Sequence, residues 1–278
     1  MAGGERLSVG AGQDRGRGVP DFLGRRGPGP YHRLNPLTKA TLATVTAIGA
    51  VVVGGLLGPA LLVAAAVLLP ALAAGVLRRL LPLAGLLALP IAISAFVVNL
   101  FFFPGGADVL FRVGPIVATA EGLGFALEIL ARILAISGAV TLFYLTTHPA
   151  DLVVDLERRG VSPRLAFVAN ASVQAVPAMV ERAAQITAAQ RARGLDTEGS
   201  IWRRVRGLVP IVAPVILGSI AEVEERTMAL EARGFTRPGR RTLLWAPRDS
   251  VPEATVRWLM LAGLAGLVAL RATGAWPG

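Results

Sequence analysis

Two copies of one tripeptide, Ala-Arg-Gly, carry the most specific chemistry in this chain. They are Ala192, Arg193 and Gly194 and, forty residues later, Ala232, Arg233 and Gly234. The guanidinium group of arginine is a planar fork of donors that binds carboxylates or helix C-terminal carbonyl groups through paired hydrogen bonds. Glycine adopts the left-handed conformation that ends a helix, and the helix dipole favours arginine in the final turn. Each copy therefore predicts a helix end that presents a guanidinium group to a partner.

An arginine followed by glycine is also an ordinary helix stop, and a single copy would favour that simpler interpretation. The surrounding sequences, AAQRARGLDT and MALEARGFTR, are similar in the two copies. The alanine beside each arginine keeps the neighbouring surface small, which leaves room for a partner to approach. Because the whole pattern is repeated, we interpret the two helix ends as docking points.

The composition indicates a membrane protein without catalytic or cofactor chemistry. Hydrophobic residues make up 54% of the 278 positions, the mean hydropathy is +0.61 and the formal net charge is +10. The chain has no cysteine and two histidines, which excludes disulfides, cysteine-bound metals and thiol nucleophiles. Its single lysine, Lys39, follows no glycine-rich loop, so a Walker A motif is absent and energy must come from another polypeptide. We therefore expect no enzymatic activity, no cofactor and no nucleic-acid partner.

Five apolar stretches are long enough to cross the roughly 30 Å hydrocarbon core of a bilayer. They are approximately Leu37–Leu57, Pro59–Leu77, Leu80–Phe103, Leu123–Thr147 and Thr255–Arg271. The predicted fold class is therefore all-α, a polytopic membrane protein with about five transmembrane helices. A long polar block between the fourth and fifth spans separates the last helix from the others.

The distribution of arginine predicts the orientation, because cytoplasmic loops of membrane proteins are enriched in positive charge. The segment before the first span, the Arg78-Arg79 pair and the polar block are basic, whereas Arg112 is the only cation between spans three and four. We therefore expect a bacterial inner-membrane protein with its N-terminus in the cytoplasm. The expected divisions are a flexible leader at 1–30, four spans in 31–147, a cytoplasmic coupling region at 148–250, and the fifth span with the C-terminus at 251–278.

Two long helices are predicted inside the coupling region. His148-Pro149 is interpreted as the start of a short helix rather than as part of a metal site. Ser162-Pro163 then begins a helix that continues to Arg193, because serine is a good N-cap and proline is favoured in the first helical turn. A second helix is expected from about Trp202 to Arg233. Both Ala-Arg-Gly copies thus end long helices.

Glu128 and Arg132 are four residues apart in the fourth predicted span, so they share one helix face. Charged side chains at this depth are costly and are candidates for function. One interpretation places them on a substrate or proton path. The other makes them a self-neutralising structural pair, and we favour this one because each charge has a partner nearby.

Several motifs in the same order resemble those of one known family. They are HRLNPLTK at His32–Lys39, LFYLTTHP at Leu142–Pro149, GVSP at Gly160–Pro163, the two Ala-Arg-Gly copies, and Arg241-Thr242. In this order they resemble the transmembrane T-component of energy-coupling factor transporters, the EcfT/CbiQ family. The resemblance covers most of the chain, and the N-terminal leader has no counterpart.

This resemblance implies a coupling subunit that moves no substrate by itself. Such a subunit joins two cytoplasmic ABC ATPases to a membrane-embedded substrate-binding S-component, which imports a vitamin or a transition-metal ion. Arg193 and Arg233 would then be the coupling arginines, one for each ATPase. The alternative is a permease of a conventional ABC importer, although such a permease normally carries one coupling motif per chain. The expected partners are the two ATPases, the S-component and the lipid bilayer.

Overall fold

The structure, a computed structural model, describes residues 29–101, 109–113, 116–194, 201–235, 237 and 249–274. The predicted leader and Arg241-Thr242 therefore lie largely or wholly outside the described residues. Within them, a short 3-10 helix at Pro30–Arg33 precedes eight longer helices, which alternate with short connections and one β-hairpin. The helices are α1 (Pro36–Val52), α2 (Leu57–Ala74), α3 (Leu77–Phe101), α4 (Ala120–Thr146), α5 (Pro149–Arg158), α6 (Pro163–Ala192), α7 (Ile201–Ala232) and α8 (Val251–Ala272).

Four of the described helices, α2, α3, α4 and α8, are long and apolar enough to cross a membrane. The fold class predicted from the sequence, an all-α polytopic membrane protein, is confirmed. The first predicted span corresponds to α1, which has 17 residues and ends at Val52 rather than Leu57. The helix ends there because Val53 already has extended backbone, with φ −74° and ψ 122°, and the left-handed Gly55 at φ 75° continues the turn that follows.

A β-hairpin, which the sequence analysis did not predict, occupies the connection between α3 and α4. Strands β1 (Val109–Val113) and β2 (Ile116–Thr119) pair antiparallel. The β-branched residues of this segment favour extended backbone. Thr119 then caps α4, because its hydroxyl accepts a hydrogen bond from the amide of Gly122 at 3.1 Å.

The described residues belong to two compact units. The larger unit comprises residues of Leu23–Ser172 and Arg240–Gly278, and the smaller unit comprises residues of Val173–Gly239. The division falls inside α6. The four-part division expected from the sequence was drawn on other grounds and stays a prediction.

Small side chains allow the helices of the larger unit to approach each other closely. Its buried core is rich in alanine and consists of Tyr31, Val67, Ala71, Ala74, Leu80, Ala84, Ala139 and Leu142. Ser137 donates a hydrogen bond from α4 to the carbonyl oxygen of Ala84 in α3, at 2.6 Å. Such close, small-residue packing is typical of membrane helices, which gain little from the hydrophobic effect when they associate.

Gly138 of α4 faces Val67 of α2 at close range, and we predict that Gly138→Ala destabilises the protein. A Cβ at this position would lie 2.8 Å from Cγ1 of Val67, a buried and rotationally stiff side chain. Overpacking of this kind costs about 1–3 kcal/mol in the free energy of unfolding. Unfolding of the detergent-solubilised chain by heat or denaturant measures the effect.

Gly124→Ala is the matched control, because Gly124 is in the same helix and a Cβ there would meet nothing within 4 Å. This control should be neutral or stabilising, since alanine is the better helix former. The double variant Gly138→Ala/Val67→Ala should recover most of the loss. Equal stability of the two single variants would contradict the packing described here.

Candidate functional site

Both Ala-Arg-Gly copies end their helices as the sequence predicts. Gly194 and Gly234 have φ values of 88° and 69°, in the left-handed region. The Gly194 amide donates to the carbonyl of Arg191 at 2.9 Å, and the Gly234 amide donates to that of Glu231 at 2.9 Å. The prediction that glycine terminates α6 and α7 is therefore confirmed.

The two helix ends, which we call the tips, are open to solvent in the described structure. One tip is Ala192, Arg193 and Gly194, the other is Ala232, Arg233 and Gly234, and all six residues are exposed. Both guanidinium groups are thus accessible to a partner. The alanine and glycine beside each arginine have small or no side chains, so a groove or a helix end of a partner protein can approach the arginine closely.

The two helices run antiparallel within the smaller unit, which places the tips at opposite ends. Gln190 of α6 donates to the carbonyl of Pro210 near the start of α7, at 3.4 Å. Arg182, which precedes Gln190 in α6, contacts Glu222, which follows Pro210 in α7. Residue numbers therefore fall along one helix as they rise along the other. The structure does not bring Arg193 and Arg233 together.

An ion pair that we call the clasp joins α6 to α7 midway between the tips. Arg182 Nη2 lies 2.6 Å from Glu222 Oε2, and the two residues are forty positions apart, as are the two tip arginines. Each clasp residue therefore precedes its own tip arginine by eleven positions, or about 16 Å at the helical rise of 1.5 Å per residue. The clasp divides the antiparallel pair into two equal arms.

Electrostatics keep the clasp carboxylate ionised. The hydrogen bond from Arg182 lowers the pKa of Glu222, and the positive charges of Arg182 and Arg226 act in the same direction. Arg226 Nη2 also contacts Glu222 Oε1 at 2.7 Å, within the same helix. The sequence analysis did not identify the contact between Arg182 and Glu222.

Glu128 and Arg132 form an ion pair in α4, as their spacing suggests. Glu128 Oε1 also accepts a hydrogen bond from the amide of Gly55 at 3.0 Å, in the turn after α1. The pair thus ties α4 to the α1–α2 connection. This contact fits the structural interpretation, and the role of the pair stays a prediction.

A second polar centre, missed by sequence reasoning, surrounds Lys39 at the start of α1. Lys39 is 3% exposed, and its ammonium group donates to the carbonyl oxygens of Thr146 at 2.9 Å and His32 at 3.1 Å. The same group lies 5.5 Å from the centroid of the Tyr31 ring, and burial raises the pKa of Tyr31 to about 12. His148 caps α5 by accepting from the amide of Ala150 at 3.3 Å, which confirms its predicted helix-start role.

Comparison with known proteins agrees with these features. Residues 29–243 match the model of the family described as CbiQ, cobalt transport protein. The chain belongs to this family. Together with the relatives described next, this match confirms the resemblance inferred from the motifs, so the chain is a membrane protein of the transporter class and a component of the energy-coupling factor type.

Individual relatives carry the name energy-coupling factor transporter transmembrane protein EcfT. The one from Limosilactobacillus fermentum is 32% identical over 188 residues, which cover 63% of this chain and 68% of the relative. The one from Thermosediminibacter oceani is 30% identical over 224 residues, covering 76% and 82%. The one from Lactococcus lactis subsp. cremoris is 28% identical over 250 residues, covering 83% and 91%.

The left-handed glycines generate a prediction about the tips. Gly194→Ala or Gly234→Ala should fray the last turn of the helix, since a left-handed conformation costs a residue with a Cβ roughly 1–2 kcal/mol. Amide hydrogen exchange should accelerate in the turn that precedes the substituted glycine and stay unchanged at the other tip.

Gly218→Ala provides the control for this experiment. Gly218 lies inside α7, and a Cβ there would make an ordinary contact with Arg182 at 3.8 Å. Exchange near the tips should be unchanged or slower in this variant. If Gly218→Ala and Gly234→Ala had the same effect on the second tip, the left-handed stop would not be what orders it.

Proposed function

We propose that the chain is the transmembrane coupling subunit of an energy-coupling factor importer of the ABC type. In this proposal two cytoplasmic ATPases bind the two tips, and a membrane-embedded S-component binds the substrate. The chain transmits ATP-driven motion from the ATPases to the S-component and hydrolyses nothing itself. The observation that carries the proposal is the pair of exposed Ala-Arg-Gly tips at opposite ends of an antiparallel helix pair.

The chemistry of the tips supports contact with a protein partner. Arg193 and Arg233 each offer a planar set of donors next to small residues. Such a group fits carboxylates or the free carbonyl groups of a helix end, where it forms paired hydrogen bonds. An ATPase groove that contains either acceptor would bind one tip, and a second, identical or similar ATPase would bind the other.

The spacing of the tips supports one ATPase per tip. Each arginine lies about 16 Å from the clasp in opposite directions along antiparallel helices, so the tips can be separated by up to about 33 Å. Two binding sites that far apart are better suited to two separate ATPase subunits than to a single one. A change in ATPase spacing would act on both arms about the clasp.

The charge pattern supports a cytoplasmic location for the tips. With positive loops inside, the N-terminus and the coupling region 148–250 face the cytoplasm of a bacterial inner membrane. The lipid bilayer then covers the apolar faces of the spans. In this arrangement substrate choice belongs to the S-component, so a vitamin and a transition-metal ion are both suitable cargoes.

Removal of the tip arginines should release the ATPases. We predict that the detergent-solubilised chain retains candidate ABC ATPases from the same genome during purification. Arg193→Ala and Arg233→Ala should each weaken retention, and the double variant should abolish it, because each substitution removes one set of paired hydrogen bonds. The amount of co-purified ATPase per chain measures the effect.

Arg191→Ala and Arg237→Ala are the matched controls, since each removes one exposed arginine near a tip but outside the tripeptide. Both controls should retain the ATPases. If all four single variants lost them equally, general positive charge rather than the tripeptide would hold the complex. If the folded double variant retained them fully, the coupling role of the tips would be wrong.

The clasp should control the distance between the tips. Ala189 and Ala229 are exposed, one on each helix and close to a tip, and the chain has no native cysteine. Spin labels on Ala189→Cys and Ala229→Cys should give a defined distance in bilayer nanodiscs. Arg182→Met should broaden that distribution, because it removes the ionic contact between α6 and α7.

Arg226→Met is the control for the clasp, since it also deprives Glu222 of a cation but within α7 alone. The distance distribution should stay narrow in this variant. Equal broadening by both substitutions would mean that the charge of Glu222, rather than the contact between the helices, sets the spacing.

A further inference from the structure

Asp249 joins two points of the larger unit that are far apart in sequence. Arg159, directly after α5, places Nη2 2.6 Å from Oδ2 of Asp249, across 90 residues of sequence. Those residues include α6, α7 and both tips. The contact between Arg159 and Asp249 therefore joins the two ends of the segment that carries the tips, and we call this pair of ends the base of the segment.

The same carboxylate binds the first turns of α8. Arg257 Nη1 lies 2.9 Å from Asp249 Oδ1, and Arg257 Nη2 lies 3.2 Å from Oδ2, which makes a bidentate pair. Arg257 is 8% exposed, and its Nη1 also donates to the hydroxyl of Thr38 in α1, at 3.0 Å. Asp249 thus reaches α8 directly and α1 through a buried arginine.

Neighbouring contacts fix both ends of this bridge. Glu253 Oε2 accepts hydrogen bonds from the Asn35 amide at 2.7 Å and from the Thr38 hydroxyl at 3.4 Å, which holds the start of α8 against the start of α1. On the other side, Asp155, a buried residue of α5, lies 3.6 Å from Nε of Arg159. The bridge therefore connects two well-supported positions.

The charges make Asp249 the centre of the bridge. A buried cation such as Arg257 is costly without a counterion, and Asp249 supplies one at bidentate distance. The hydrogen bond from Arg257 lowers the pKa of Asp249, and the charges of Arg257 and Arg159 act in the same direction. The carboxylate stays ionised at neutral pH and holds both arginines at once.

We infer that Asp249 is a positioning residue that couples the base of the tip-bearing segment to α1 and α8. When α5 moves, the contacts of Arg159 with Asp249 and of Asp249 with Arg257 make α8 and α1 move with it. Without these contacts α5 would slide past α8. The bridge itself is a property of this chain alone. Its consequence for transport rests on the proposed function.

The first test measures the distance between α5 and α8 in the full chain. Spin labels on Glu157→Cys and Val251→Cys report it, since Val251 is 81% exposed and no native cysteine competes for the label. In nanodiscs the parent chain should give a narrow distribution. Asp249→Asn should broaden it and shift it to longer distances, and Asp249→Glu should restore the narrow distribution because it keeps the charge.

Glu224→Gln is the control, because it makes the same change from carboxylate to amide on the exposed face of α7. If Asp249→Asn does not fold, Arg159→Gln replaces it, since this variant removes the α5 contact and keeps the pair of Asp249 with Arg257. The inference is overturned if the folded variant matches the parent, or if Asp249→Glu is as broad as Asp249→Asn.

The second test uses the complex that the tagged chain retains with its ATPases, trapped with MgATP and vanadate. In the parent complex the label distance should be the same with and without the trapped nucleotide, because a rigid bridge moves α5 and α8 together. In Asp249→Asn the nucleotide should change the distance while the ATPases remain bound. A nucleotide-dependent distance in the parent, or none in Asp249→Asn, would overturn the transmission role. Loss of the ATPases from the parent would instead contradict the proposed function and leave the result of the first test standing.

Discussion

The larger unit depends on one buried ammonium group. Lys39 lies in the first turns of α1, and its hydrogen bond to the Thr146 carbonyl places a cation at the C-terminal end of α4, where the helix dipole favours positive charge. A buried cation needs this compensation, and the nearby charges of Asp151 and Glu253 add to it. Since Asp151 belongs to α5 and Glu253 to α8, the same group organises the ends of four helices.

This arrangement explains how helices with little apolar burial keep a fixed order. Exposed leucine and valine side chains of α3 and α8 would meet lipid, so their burial against protein gains little. Alanine and serine bring α3 and α4 together in the middle of the unit, and the polar contacts of Lys39, Glu253 and Arg257 fix the ends. Close packing sets the separation of the helices, and ionic contacts set their register.

Sequence reasoning reached the features that depend on local pattern. Length and hydropathy are sufficient for a membrane helix, and a glycine after an arginine is sufficient for a helix stop, so α4 and both tips were placed correctly. The early end of α1 at Val52 was missed because a glycine pair after an apolar run is also compatible with a longer span. The hairpin was missed because its strands are four and five residues long, too short to give a clear periodic signal.

The contacts that matter most for the proposed function could not be found in the same way. Arg182 with Glu222, and Asp249 with Arg159, join residues that are 40 and 90 positions apart. Many carboxylates in an arginine-rich chain could have been their partners, and only the packing of the helices selects one. The local i,i+4 pairs, Glu128 with Arg132 and Glu222 with Arg226, needed no such information.

The two kinds of contact also suit different mechanical roles. The clasp is a partly exposed ion pair, and pairs of that kind hold helices weakly and are screened by salt. It is suited to a joint whose arms change angle. Asp249 holds a nearly buried arginine through two hydrogen bonds, which is costly to break because the cation would lose its counterion. In the proposed function, transmission of movement from the tips to the membrane helices requires contacts that let helices change their angle and contacts that keep helices together. The most shielded of these contacts is the one between Asp249 and Arg257, which fixes Asp249 to α8. Arg159 is about as exposed as Arg182 of the clasp, so its hold on α5 depends also on the buried carboxylate of Asp155.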